Sequence, residues 1–297
     1  MKILQNKKQI VVALAILLIG AVGFFGWRAW RAEYWRKVGI ERQSEAEQAS
    51  LNDDAASHVK PIDSQVSPAD GMTQLLVPAG AFLMGDGDKA EKNGPQHEVG
   101  LSAFWIDRTE ISNAMYALCA AAKKCGLPFH GNLNPMYDDS AFANYPVVYV
   151  TWKQAGEYCA WAGRRLPTEA EWEKAARGID GRIYPWGDDA PDMTRANFAL
   201  QVGASLPVDR YPLGASPYGA LNMAGNVREW VLDWFHPLAY LGLPTLNPQG
   251  PPEGGKRILR GGSYLDDANE IRAFNRFAHE PGSAGINRGF RCAMNAQ

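Results

Sequence analysis

The side chains best suited to chemistry are few and scattered. Four cysteines, Cys119, Cys125, Cys159 and Cys292, include no Cys-x-x-Cys pair, so their spacing does not describe a cysteine-rich zinc site. The five histidines, His58, His97, His130, His236 and His279, contain no pair four residues apart, the spacing that sets two imidazoles on one helix face. Asp86-Gly87-Asp88 starts like a calcium loop, but Ala90 and the lack of a glutamate at the loop's last position break that pattern. No Walker motif is present, and no Gly-x-Gly-x-x-Gly opens a helix. A further polar cluster holds Asp266, Asp267, Glu270, Arg272 and Arg276. As a surface cleft it would take a protein, peptide or glycan ligand; as a solvated loop it would fold Arg272 and Arg276 into internal salt bridges.

The elements that must position these groups are short and loop-rich. The chain has 297 residues, 46% hydrophobic and 21% charged, which argues for a globular fold. Its 30 Gly, 19 Pro and 10 Trp predict many turns, with large rigid side chains pinning irregular backbone. Thirty Lys+Arg against 32 Asp+Glu leave no basic stripe, so nucleic acid is not an expected partner.

Residues 1–9 read as a cytoplasmic N-terminus and 10–27 as a transmembrane helix, an uncharged run long enough to span a bilayer. A cleaved signal peptide is the alternative, with Ala21-Val22-Gly23 as its site, but the apolar run continues past it to Trp27. Residues 28–70 read as a juxtamembrane aromatic and basic belt followed by a polar linker. The folded domain is expected from 71 to 297.

Within it, Leu75 to Gly85 predicts two short strands around a Pro-Ala-Gly turn, and Phe104 to Asp107 another strand. Ser112 and Thr151 read as N-caps. Thr168 with Glu171 forms a capping box that opens a helix ending near Gly178. Trp152, Trp172, Trp186, Trp230 and Trp234 read as core side chains.

The motifs follow one another in a recognisable order. They run from Pro78-Ala79-Gly80-Ala81-Phe82 through Trp105-Ile106-Asp107-Arg108-Thr109-Glu110 to Arg165-Leu166-Pro167-Thr168-Glu169-Ala170-Glu171-Trp172-Glu173. Asn222-Met223-Ala224-Gly225-Asn226-Val227-Arg228-Glu229-Trp230, Arg260-Gly261-Gly262-Ser263-Tyr264 and Gly289-Phe290-Arg291-Cys292 complete the set. In these the chain resembles the formylglycine-generating enzyme family, also called sulfatase-modifying factor domains. The resemblance implies an α+β fold, a variant of the C-type-lectin fold with little regular secondary structure.

The resemblance also implies what the site should contain. Active members carry two cysteines shortly after the Gly-Gly-Ser motif, whose thiolates bind copper and activate oxygen. Counting forward puts Asp266 and Ile271 at those positions, and no cysteine lies between Cys159 and Cys292. A carboxylate is a hard ligand and does not replace a thiolate on Cu(I), so copper and formylglycine generation are not expected. By resemblance Cys159 pairs with Cys292, and Cys119 and Cys125 would close a small loop. Two disulfides point to an oxidising compartment and so to an extracytoplasmic domain on a single-pass anchor. The resemblance further offers one structural calcium, held by Asn222, Gly225, Val227 and Glu229. A second family site would begin at Asn197 and Phe198, but no carboxylate follows in residues 200–205. The expected function is a membrane-anchored recognition or scaffolding module. The alternative is a repurposed, oxidoreductase-like maturation enzyme that works through carboxylates such as Asp266 or Glu270.

Overall fold

The computed structural model describes residues 63–87, 92–129, 134, 136–242 and 244–296. The expected membrane helix at 10–27 lies outside them, and no helix among the described residues is long and apolar enough to cross a membrane.

Among the described residues, ten short strands form three sheets. Ser64–Val66 (β1), Thr73–Val77 (β2), Phe104–Asp107 (β5) and Ala293–Asn295 (β10) make the first, in the order β1-β2-β5-β10 and antiparallel throughout. Gly80–Met84 (β3) and His97–Leu101 (β4) make a two-stranded ribbon. Arg228–Trp234 (β6), Arg257–Arg260 (β7), Phe277–His279 (β8) and Arg288–Phe290 (β9) make the third, ordered β8-β7-β6-β9, with β6 and β9 parallel. The strands on either side of the Pro-Ala-Gly turn therefore form as expected but join different sheets.

β1 corrects the expected domain boundary. Ser64 pairs with Leu75 of β2, and Asp70 is buried against Arg164, so residues 63–70 belong to the fold rather than to the linker. Composition concealed this because an edge strand needs only one hydrogen-bonded neighbour and can remain polar.

Among the described residues, three α-helices start where their caps place them. Ser112 Oγ accepts from Met115 N at the start of Asn113–Ala121 (α1). Thr151 with Gln154, and Thr168 with Glu171, close capping boxes on Trp152–Trp161 (α2) and Glu169–Arg177 (α3). Gly178 ends α3 at φ +70°.

α3 is the organiser. Its sequence, Glu-Ala-Glu-Trp-Glu-Lys-Ala-Ala-Arg, is mostly charged, yet all nine residues are buried. Each charge finds a partner: Lys174 Nζ donates to the carbonyls of Pro78 and Gly80, and Glu173 pairs with Arg177 and Arg260. Trp172 joins Phe82, Val99, Phe104 and Val231 in one apolar core. A second core gathers Tyr116, Tyr158, Trp230, Phe290 and the disulfide between Cys159 and Cys292. Trp172 and Trp230 are fully buried, whereas Trp152, Trp186 and Trp234 are only half-buried. Both expected disulfides form, with Cα–Cα distances of 5.4 Å for Cys119–Cys125 and 5.6 Å for Cys159–Cys292. In the chain-entropy treatment, closing the 133-residue separation is worth about 5 kcal/mol.

Candidate functional site

The site is built around the loop that follows β7. Gly261 and Gly262, at φ +89° and +70°, turn the chain sharply. A Cβ at Gly262 would lie 2.8 Å from Ile271 Cγ2, so the turn packs directly on Ile271. Ile271 is fully buried beside Tyr184, Phe198 and Ala224. Asp266 is also buried, but it is polar and committed. It accepts from Arg228 Nε at 2.8 Å and from Arg228 Nη2, and Ser263 Oγ donates to it at 2.7 Å. The two positions expected to hold thiolates thus hold an ion-paired carboxylate and a packed hydrocarbon. The four cysteines of the chain are all in disulfides.

The rest of the expected cleft does not assemble. Asp267 Oδ1 accepts from the backbone N–H groups of Asn269 and Glu270, and Glu270 Oε2 accepts from Asp267 N, so these two acids close an exposed turn. Arg272 Nη2 donates to Asn269 Oδ1 on the same turn. Arg276 follows the second of the two readings, an internal salt bridge. It is fully buried and clasps Glu169 with Nε at 2.6 Å and Nη2 at 3.0 Å. Glu169 also takes Arg260, which reaches Glu173 with its other nitrogen. Arg276 belongs to the support of α3 and lines no cleft.

The expected calcium positions lie on one buried turn. Asn222 and Asn226, at φ +56° and +59°, flank Gly225 at +83°. A Cβ at Gly225 would lie 2.3 Å from the carbonyl oxygen of Asn197, so only glycine fits. Asn222 and Asn226 each donate through Nδ2 to Glu110, one to each carboxylate oxygen, at 2.8 Å. Glu229, fully buried, receives Arg291 Nε at 2.6 Å, Arg291 Nη2 at 2.7 Å and Trp172 Nε1 at 2.8 Å.

These residues do not fit calcium at Glu229, because its carboxylate edge is already clasped by a guanidinium that would repel a cation. The chain's own Arg291 supplies the counter-charge. Arg291 donates in addition to the carbonyls of Asp107, Arg108 and Leu221. Glu110 lies near this pair without a cation of its own, and burial and then Glu229 push its carboxyl up to about 8. A proton on Glu110 meets that charge excess.

Sequence reading missed Arg291 and Glu110 as partners, although both stand in the quoted motifs. They lie far apart along the chain, and only the fold brings them together. The same holds for Asp70 and Asp107, which share Arg164 in a buried triad.

The profile of the sulfatase-modifying factor enzyme 1-like domain matches residues 61–296. The formylglycine-generating enzyme of Streptomyces coelicolor is 36% identical over 283 residues, spanning 75% of this chain and 89% of that protein. A Mus musculus protein named inactive C-alpha-formylglycine-generating enzyme 2 is 31% identical over 288 residues, spanning 78% of this chain and 89% of its own length. Among solved structures, PvdO from Pseudomonas aeruginosa superposes with a TM-score of 0.68 at 26% identity, over 80% of this chain and 99% of that one. By its motifs, its disulfides and these matches, the chain belongs to the formylglycine-generating enzyme family of sulfatase-modifying factor domains.

Proposed function

We propose that this chain is a recognition module without formylglycine-generating activity, held to a membrane by residues 10–27 with its domain on the extracytoplasmic side. One observation supports this above the rest. The positions that should carry the copper-binding thiolates hold Asp266, locked by Arg228 and Ser263, and Ile271, packed in a core, while the four cysteines are paired with one another. Copper(I) chemistry needs soft sulfur ligands, and this donor set offers none. That a similar mouse protein carries the word inactive in its name supports the reading by analogy. The two disulfides support an oxidising compartment.

The test is direct. The full chain, with copper supplied, is incubated with a Cys-x-Pro-x-Arg peptide and the peptide is weighed by mass spectrometry. The expected result is an unchanged cysteine. Conversion of that cysteine to formylglycine would overturn the proposal.

A further inference from the structure

Arg228 and Arg288 stand side by side. β6 and β9 run parallel, and their register sets Arg228 opposite Arg288. Like charges placed opposite each other destabilise a strand pair, and both side chains are half-buried, which removes part of the screening by water. Arg228 uses Nε and Nη2 on Asp266 and lays its guanidinium 3.8 Å over the centroid of the Phe277 ring. Lys92 Nζ sits 4.8 Å from the centroid of the same ring.

Arg288 has only neutral partners. Its Nη1 donates to Ser283 Oγ at 3.0 Å and its Nη2 lies 3.2 Å from His279 Nε2, while its Nε is buried with no partner. A guanidinium has no acceptor, so His279 Nε2 must accept, and the imidazole is neutral there. Burial and then Arg228 hold Arg288 below the usual arginine range. Burial and then the neighbouring arginines do the same to His279. Glu270 and Glu280 act on Lys92 and His279 from beyond salt-bridge distance.

The bay therefore holds Arg228, Arg288 and Lys92 against one contacting carboxylate, Asp266. Among the described residues no carboxylate stands within salt-bridge distance of Arg288 or Lys92, and Glu270 and Glu280 offset them only from farther away. A planar carboxylate would return one negative charge, and a phosphate monoester returns about two at neutral pH. The cations also come from three separate segments rather than from one fork. That arrangement suits a tetrahedral group with oxygens on several sides.

We propose that this bay binds a dianionic tetrahedral oxyanion, a phosphate that is either free or carried as a monoester on a small ligand, between Arg228, Arg288 and Lys92. The inference rests on the recognition reading above and names the ligand chemistry of that face. Arg228 and Asp266 form the fixed wall, Phe277 packs against Arg228 and Lys92, and Arg288 and Lys92 are the donors that close on the oxyanion.

The test uses the full chain in detergent micelles at pH 7.5 and fixed ionic strength, titrated calorimetrically with inorganic phosphate, with O-phosphoserine and with succinate. Saturable binding of phosphate or phosphoserine is expected, at least tenfold tighter than succinate. The tighter of the two assigns the source as free ion or ester. Arg288→Gln should weaken binding at least tenfold while melting no lower than the wild type. Lys92→Gln, at an exposed position, should weaken it severalfold, and Lys153→Gln should leave it unchanged. No saturable binding of either phosphate, unchanged affinity in both Arg288→Gln and Lys92→Gln, or succinate binding as tightly as phosphate would each overturn the proposal. Failure here leaves the recognition reading standing, whereas peptide-cysteine conversion removes that reading without touching the bay.

Discussion

Arg288 and Arg291 sit three residues apart and behave as opposites. Arg291 is fully buried and directs its donors at Glu229 and three backbone carbonyls. Arg288 is half-buried, has no carboxylate partner among the described residues, and faces a second arginine across the strand pair. Arg288 opens β9 and Arg291 lies just past its end, one half-buried on the outer face and one fully buried on the inner face, and the two surroundings answer charge differently. On the inner face, burial makes an unmatched guanidinium too costly, so every cation there is answered by an acid or a carbonyl. On the outer face the mismatch is tolerated, and a ligand can use it. Matched arginines hold the fold, and the unmatched ones are where binding energy is available.

The largest effect should come from breaking the matched side. Arg291→Gln leaves Glu229 buried and unpaired, which should cost about 3–5 kcal/mol and lower the melting temperature by about 6–20 °C. Arg288→Gln should leave the melt unchanged or raise it. Equal losses in both variants, measured by thermal denaturation, would erase the distinction between the two faces.

The disulfide that ties α2 to the segment between β9 and β10 comes next. Replacing Cys159 and Cys292 together by alanine should cost about 2–5 kcal/mol, read as a lower denaturant midpoint.

Proton binding should sharpen the picture of the inner face. Burial and then Glu229 raise Glu110 from 4.5 to about 8, and burial and then Glu169 raise Asp233 from 3.8 to about 8. Asp107, raised by burial, reaches about 6. For these acids the native state holds a proton that the unfolded chain has already released. Stability therefore falls as pH rises from about 4.5 to about 8. The domain should be more stable at pH 5.5 than at pH 8, by an amount on the order of 1–3 kcal/mol. Glu173 and Asp70 have depressed values and act in the opposite sense, but only as pH drops below the ordinary carboxylate range. A melt that rises steadily from pH 5.5 to pH 8 would count against a proton on Glu110.

The smallest expected effect is that of chelation. With Arg291 on Glu229, removing calcium should move the melt by less than about 1 °C, a fraction of the stability unit set by one kcal/mol. A fall of several degrees would return calcium to the Asn222–Glu229 turn.

Much of the architecture was legible in the sequence because local rules govern it. Ser112, Thr151 and Thr168 cap where they were expected to, since a hydroxyl beside free N–H groups has few other uses. The Cys159–Cys292 disulfide followed from the family motifs around those residues, and Cys119–Cys125 from their closeness in sequence. The polar edge strand β1 was hidden because nothing in Ser64-Gln65-Val66 marks a partner. Arg276 had a hidden partner for a related reason. Beside Asp266 and Glu270 in sequence it could join a surface cluster or an internal salt bridge, and just ahead of β8 it reaches Glu169 of α3, more than a hundred residues earlier. α3 itself is charged enough to pass for a solvated helix, and only distant arginines make its burial affordable. Local caps can be read from a few residues, whereas charge pairing across the fold cannot.

With its four cysteines paired, this chain has no thiolate free to bind copper. Iodoacetamide labelling of the denatured, non-reduced full chain, followed by peptide mapping, checks this. No alkylated cysteine is expected before reduction, with Cys159 linked to Cys292 and Cys119 to Cys125. A pair of alkylated cysteines in the non-reduced protein would contradict it.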